Sequence, residues 1–554
     1  MQPSATTLLL PSRLYFFAAC VLVFIVTSSL ALLGHGGWFW TLAVLSGALS
    51  GLGVVDIVQT RSSVRRNYPI LSHIRFMLEY IRPEIRQYFL ETDTEQIPFS
   101  RVQRSLVYQR AKNELNKRPF GTQLDVYQQK YEWLNHSIQP AEVKDHDFRL
   151  QIGSSQCARP YSASVFNISA MSYGALSPNA ILALNEGARR GGFYHDTGEG
   201  SISTYHRQHG GDLVWEIGSG YFGCRNPDGS FNAERFAENA ASDQVKMIEL
   251  KLSQGAKPGH GGVLPGAKVN AAISEARGVP IGVDCVSPAS HSGFTTPVGL
   301  LEFLAQLREG SGGKPTGFKL AIGHPWEWFS MAKAILKTGI TPDFIVVDGG
   351  EGGTGAAPQE FTDHVGVPLA EGLMLVHNTL VGIGKRGEIR IGAAGKIVTA
   401  FDIARVCAIG ADWCNAARGF MFALGCIQSQ TCHTGLCPTG VTTQDPKRYR
   451  ALVPEDKATR VFNFHQNTLK ALQELIAAAG LTHPGQLGPE HVIQRVSSTE
   501  VRALAALHPW LKPNGLIDGS PIEHRVFQLF WDLADPDSFK APHSMVSLRD
   551  SKML

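Results

Sequence analysis

The chain has 554 residues, and its 51 Lys and Arg against 48 Asp and Glu leave a formal charge of +3. A hydrophobic fraction of 44%, with 28 Phe and 9 Trp, excludes a chain that is disordered over most of its length. So small a net charge supplies no general basic field, which excludes nucleic acid as a partner, and nine cysteines, an odd number, argue against a secreted disulfide framework.

Residues 14–33 hold no charge, and neither do residues 37–55. Each run approaches the ~20 residues that cross a bilayer as a helix. Only Gly34-His35-Gly36 separates them, so they form a tight hairpin, with Trp38 and Trp40 placed where interfacial aromatics belong. A cleaved signal peptide has a shorter apolar region and no second span; a buried soluble hairpin is the plainer alternative. Arg13 precedes the first run, and Arg61, Arg65 and Arg66 follow the second. The positive-inside rule then expects a two-span protein of the cytoplasmic (inner) membrane with both ends, and the catalytic body, in the cytoplasm.

Residues 61–150 read as a helical linker. Helical spacing over 72–90 puts Ile74, Met77, Leu78 and Ile81 on one face, with Pro83 interrupting, and residues 100–115 form a second helix with Ser100 as its cap. From about 164 short apolar runs alternate with glycine loops and helical stretches such as 178–190 and 297–308. Strands are expected at 164–170, 212–218, 247–252, 280–285, 316–321, 343–348, 388–393 and 411–417. Eight such units match an α/β fold of the (β/α)8 TIM-barrel type, which takes ~250 residues. A doubly wound open sheet is the alternative, but no strand leads into a clean G-x-G-x-x-G helix start. Residues 446–554 read as a helical extension, including an amphipathic helix over 461–480 that ends at Gly480. The expected organisation is therefore a hairpin (1–60), a linker (61–150), a barrel (151–445) and an extension (446–554).

In such a barrel, chemistry sits on the loops that follow the strands. The loop Met171-Ser172-Tyr173-Gly174 either brings backbone to a planar ligand or merely caps the helix at Ser177. Glu199, between Gly198 and Gly200, is a proton donor, an amine-binding group or a solvated acid. Lys257, in Gln254-Gly255-Ala256-Lys257-Pro258-Gly259, is placed to hold an anionic substrate. Lys319 lies inside an apolar strand, where burial is costly unless its charge meets a ligand oxygen, a flavin ring or a buried carboxylate. Two glycine loops, one including Gly352, Gly353 and Thr354 and the other including Gly392 and Gly395, suit a phosphorylated cofactor held at the late strands of a barrel. Five of the nine cysteines fall between 407 and 437. Cys426, Cys432 and Cys437 can converge on one inorganic core, because thiolates are soft ligands for iron–sulfur clusters. Zinc usually takes C-x2-C pairs, and none occurs. Three ligands suit a three-iron cluster, whereas a four-iron cluster needs another group, with Cys414 or His433 conceivable; three packed free thiols are the bland alternative.

These segments, MSYGALS (171–177), TGEG (197–200), QGAKPG-x-GG-x-LPG-x-KV (254–269), GGTGA (352–356) and ALGC-x5-CHTGLCPTGVTTQ (423–444), occur in order. Over about 150–445 the chain resembles the FMN-binding glutamate synthase family, in a short, membrane-anchored form. The resemblance implies a barrel holding FMN beside a 3Fe-4S cluster bound by Cys426, Cys432 and Cys437. It implies FMN contacts from Met171, Ser172, Lys319, the late glycine loops, Arg418 and Gly419, with Glu199 and Lys257 on the side of a 2-oxo acid substrate. The implied reaction is electron entry through the cluster to FMN, then hydride transfer to 2-iminoglutarate, giving L-glutamate.

Three departures qualify the resemblance. No glutaminase domain precedes the barrel, so ammonia is expected from solution or from a separate subunit. The family's KPGEGGQLPG acid and amide are His260 and Val263 here, which opens the alternative of another 2-oxo acid or amine, such as N-methylglutamate formation. The family's SPPPHHD segment reads Ser287-Pro288-Ala289-Ser290-His291-Ser292-Gly293. A non-enzymatic electron-transfer subunit on the membrane is a further alternative. No nicotinamide fingerprint is present, so a ferredoxin or a partner reductase is the expected electron donor.

Overall fold

The computed structural model describes residues 11–93, 98–115 and 117–542. They form two compact units, divided between Thr92 and Asp93.

In the first unit, helices Tyr15–Leu32 and Trp38–Val58 pack along each other. The second turns small or polar side chains inward, with Ala43, Ser46, Ser50 and Gly53 buried. A Cβ on Gly53 would lie 2.3 Å from the Phe17 ring, so the close approach requires glycine there. The hydroxyls of Thr27, Ser46 and Ser50 donate to carbonyls one turn back at 2.6–2.7 Å and need no outside partner. The outer faces are apolar and exposed, and both helices are long and apolar enough to cross a membrane. A helix Leu71–Ile85 follows and runs into a wide turn, Arg86–Leu90.

In the second unit eight parallel strands close on themselves: β1 Phe166–Ile168, β2 His195–Asp196, β3 Leu213–Ile217, β4 Val245–Lys251, β5 Thr316–Leu320, β6 Phe344–Asp348, β7 Arg390–Ala394 and β8 Trp413–Ala416. β8 pairs β1, with Cys414 opposite Phe166, and completes the (β/α)8 barrel. Strands such as β6, FIVVD, are nearly unbroken apolar runs because helices cover one face and the barrel interior the other. The end of the barrel below the strand N-termini is closed by an antiparallel pair, Arg149–Ile152 with Tyr161–Ser164; Ile152 and Tyr161 pack inside against Met247, Phe344 and Trp413.

Seven barrel strands fall where the apolar runs place them, and one does not. Residues 280–285 are not a barrel strand. Ile281 and Val283 are exposed, and Cys285–Val286 pairs with Val263–Leu264 in a small hairpin between β4 and β5. The missing strand is β2, two residues long and polar, and a period-based reading passes over it. Its Asp196 side chain is buried beside Glu216 and Glu249, and such a strand has no hydrophobic signature.

Ser177 caps the helix Pro178–Gly191 and Ser100 caps Arg101–Lys112 through a capping box, as their sequences predict. The long helix Pro454–Ala478 packs on both of these helices. Its buried His465 meets the Phe166 carbonyl at 2.9 Å. Beyond it, residues 446–554 carry more than helix: Val492–Arg495 and Val501–Ala503 join Glu132–Leu134 in an antiparallel sheet, tied to the barrel side by the Arg405–Glu132 ion pair.

Candidate functional site

The C-terminal ends of the strands open into one cavity of about 400 Å³, lined by residues on or after all eight strands. That volume falls within the ~300–1,000 Å³ of pockets that hold cofactors. Met171, Ser172, Glu199, Lys257, Lys319, Gly352, Gly353, Thr354, Gly395, Arg418, Gly419 and Cys432 all line it.

Gly392 is the exception among the residues expected to hold FMN. A Cβ there would lie 2.5 Å from the indole of Trp413 on the neighbouring strand, so its glycine makes room for a core ring and not for a ligand. Gly255 serves the site differently. A Cβ there would fall 1.7 Å from the Gly349 carbonyl oxygen, so glycine lets the β4 and β6 loops touch, and the Gly255 N–H donates to Asp348 at 2.9 Å.

The floor of the cavity is charged. Lys319 pairs closely with Glu216 and lies 3.2 Å from Glu249. Glu216 and Glu249 are register partners on β3 and β4, and with Asp196 their carboxylates lie within 4.8 Å of one another. Burial alone would strip the proton from Lys319, but Glu216, Glu249, Asp196 and Asp348 together hold it as an ammonium. Burial, opposed by Lys319 and reinforced by the Glu216 charge, pushes Glu249 up to about 7. One lysine cannot neutralise three carboxylates in a dry interior, so the group retains protons. The strand lysine therefore meets buried carboxylates and also faces the cavity. Glu216 and Glu249 stand at strand-interior positions in LVWEI and VKMIELK, and that shared anomaly is the signal that finds Lys319's partners.

On one wall, Glu199 Oε1 lies 3.1 Å from Lys251 Nζ. Burial raises the Glu199 carboxyl, but Lys251, Arg277 and Lys257 outweigh it and hold Glu199 below the usual range. It is an anion at neutral pH, the form that binds an amine or ammonium and not the form that donates a proton. Lys257 is buried beside it and is pushed down by that burial; its Nζ lies 3.3 Å from the Gly261 carbonyl. Lys251 and Arg277, missed in the sequence, complete this cationic wall.

The cysteine loop forms another wall. Arg418 Nη2 donates to the Thr354 carbonyl at 2.6 Å, and its Nη1 lies 3.8 Å from Cys432 Sγ. Cys426 and Cys437 are buried behind Cys432, and none of the three is in a disulfide. Positive φ at Gly425, Gln428, Gln430 and Gly435 folds the loop back on itself. Burial pushes the Cys426 thiol up to about 11, and Cys432 and Cys437 add to the rise. Burial also raises Cys437, but Thr439 and Thr442 donors outweigh it and favour the thiolate. Lys268 donates to the Cys432 carbonyl at 3.3 Å. His433 lines the cavity, but Cys414 does not. Cys414 is buried in β8 beside Cys407 of the helix Ala400–Ala408, on the outer side of the barrel, which removes it as a fourth ligand.

Residues 104–482 match the model of the conserved region in glutamate synthase. The glutamate synthase large subunit-like protein YerD of Bacillus subtilis is 37% identical over 482 residues, covering 80% of this chain and 91% of that protein. The archaeal glutamate synthase [NADPH] of Methanocaldococcus jannaschii is 38% identical over 315 residues, so the chain spans 58% of that relative's length. Among solved structures, a mandelate oxidase variant with (S)-mandelic acid aligns at a TM-score of 0.38 and 14% identity, over 64% of this chain and 84% of that one. With the family match covering most of the chain and YerD aligned along nearly its whole length, the chain belongs to the glutamate synthase family.

Proposed function

We propose that the chain is an FMN- and iron–sulfur-dependent oxidoreductase that reduces the imine of a 2-oxo acid, in the manner of glutamate synthase making L-glutamate from 2-oxoglutarate and ammonia. The observation that carries this reading is a single cavity bounded by Cys432, by the Lys319 ammonium and by the Glu199–Lys257 wall. The residues fit the two groups. Met171, Ser172, Lys319, the loops 352–354 and 394–397, Arg418 and Gly419 would hold FMN, with Arg418 already turned toward both the Thr354 loop and Cys432. The thiols of Cys426, Cys432 and Cys437 would hold the 3Fe-4S cluster. Cys432 and Cys437 both act on the Cys426 thiol, a proximity of three soft donors that suits one shared core. Bound FMN supplies hydride chemistry fed by single electrons from the cluster.

The chain's own residues then bind and polarise. Lys257, Lys251 and Arg277 attract the carboxylates of the substrate, Glu199 holds the ammonium or imine nitrogen, and Lys319 compensates negative charge at the cavity floor. The N-terminal helices anchor this body to the cytoplasmic membrane, and a ferredoxin or partner reductase supplies electrons. Turnover of 2-oxoglutarate with ammonia and an artificial electron donor tests the reaction; no glutamate from enzyme that carries both cofactors rejects it.

A second reading keeps the cofactors and changes the substrate to another 2-oxo acid or to an alkylamine. Val263, which lines the cavity with its apolar side chain about half exposed, favours it. A valine cannot hydrogen-bond a substrate carboxylate. Comparing methylamine with ammonia, and several 2-oxo acids, separates the two readings.

A further inference from the structure

The helix Leu71–Ile85 is turned inside out for a soluble protein. At 3.6 residues per turn, Leu71, Ile74, Met77, Leu78, Ile81 and Ile85 fill one arc of about 120°. A soluble helix buries such an arc. Here Ile74, Met77 and Leu78 are 53%, 55% and 50% exposed. Over the first two turns the inward side is the polar and aromatic one. Ser72 is buried, Phe76 lies under the Arg65 guanidinium at 5.3 Å, and His73 Nε2 is 2.9 Å from Asp56.

The first turn of this helix is fixed to the end of the second apolar helix. Asp56, on its last turn, is buried and accepts the Ile70 N–H at 3.0 Å as well as the His73 contact. Ile70 itself sits at φ +68°, a conformation that a β-branched residue adopts only when its surroundings impose it. The chain is thus turned sharply at Pro69-Ile70 and held there, at the end of the apolar hairpin.

We propose that the helix Leu71–Ile85 lies along the bilayer surface, with its apolar arc in the boundary between acyl chains and headgroups and its arginines among anionic headgroups. The inference rests on the reading of the hairpin as membrane-spanning. The bilayer is favoured as occupant because the arc begins where the hairpin's own exposed apolar surface, Val55 and Val58, ends. The charge agrees: residues 61–90 hold six arginines (61, 65, 66, 75, 82 and 86) against two glutamates (79 and 84). Arg75 and Arg82 border the arc, while the exposed Tyr80, Tyr88 and Phe89 suit an interface.

The test uses the full chain in vesicles of phosphatidylcholine and phosphatidylglycerol, with a fluorescent amino acid placed singly at Val44, Met77 or Glu79 and lipids brominated at shallow or deep acyl positions. Val44 should be quenched, deep bromine being the more effective. Met77 should be quenched by shallow bromine, about twofold or more above Glu79, because an interfacial helix sinks its apolar face ~5–10 Å. Omitting phosphatidylglycerol should lower the Met77 signal. The substitution Leu78→Glu, at an exposed position, should abolish quenching at Met77 and leave Val44 unchanged. Quenching at Val44 without quenching at Met77 overturns the inference alone, the arc then being covered by another protein surface. No quenching at Val44 overturns the hairpin reading, and this inference falls with it.

Discussion

Arg418 joins two loops: its Nη2 donates to the Thr354 carbonyl at 2.6 Å while its Nη1 lies 3.8 Å from Cys432 Sγ. A single guanidinium therefore ties the glycine loop after β6 to the cysteine loop after β8. Replacing it by alanine removes both contacts from a half-buried site. Hydrogen bonds to a charged donor contribute about 1.5–3 kcal/mol, so Arg418→Ala should weaken flavin retention by about 10–100-fold. Arg418→Lys, which keeps the charge and loses the planar fork, should fall between. Flavin released on dilution, measured by fluorescence, checks both.

Cys432→Ala should remove the iron–sulfur absorbance, and Cys414→Ala should keep it. The two differ because Cys432 faces the cavity and Cys414 packs against Cys407 outside the barrel. Iron content and visible spectra of the anaerobically purified variants decide the assignment. Loss of the cluster in Cys414→Ala at undiminished thermal stability would make Cys414 a ligand.

Lys319→Met should destabilise the second unit by about 3–5 kcal/mol, because it leaves the buried carboxylates Glu216 and Glu249 without their cation. Combining it with Glu216→Gln should recover part of that loss, since fewer charges are then stranded. Chemical denaturation of the two variants and the native chain measures the coupling.

Stability should also fall as pH rises through this cluster. Glu249 is held at about 7 by burial, well above a free glutamate, so the folded chain binds more protons than the unfolded one between about 4.5 and 7. The stabilisation is complete below that window and is lost as pH rises through it. Asp196, raised in the same way, steepens the slope. Denaturation midpoints at several pH values should decline across the window, and Glu249→Gln should flatten the decline.

Val263→Gln should restore a hydrogen-bonding group to the cavity wall. If the chain uses 2-oxoglutarate poorly, kcat/KM for it should rise by about tenfold, the worth of one neutral hydrogen bond of ~1 kcal/mol or a little more. An unchanged preference would show that position 263 does not read the substrate.

The barrel was legible because parallel strands buried on both sides are apolar runs, and seven of the eight announce themselves that way. β2 was hidden because its two residues are polar, and Asp196 belongs to the charged floor and not to an apolar core. The segment 280–285 reads like a barrel strand because alternating apolar residues look alike whether a barrel or solvent receives them. In the site, Lys319, Glu199, Lys257 and Cys432 stood out as charged or soft side chains in unusual company. Glu216 and Glu249 carry the same strand-interior anomaly as Lys319, but their pairing with it depends on strand register, and the part played by Lys251 and Arg277 depends on which loops the barrel brings together. Gly392 shows the converse: a glycine loop that reads like a phosphate cradle owes one of its residues to the bulk of Trp413.

The most direct test of the central claim is the visible spectrum of the full chain purified without oxygen, reduced by dithionite and then mixed with 2-oxoglutarate and ammonia after excess reductant is removed. The protein should be yellow-brown, contain flavin and iron and bleach on reduction, and its flavin absorbance should return when both substrates are present. A colourless, iron-free protein, or a bound flavin that stays reduced with every 2-oxo acid and amine offered, would contradict it.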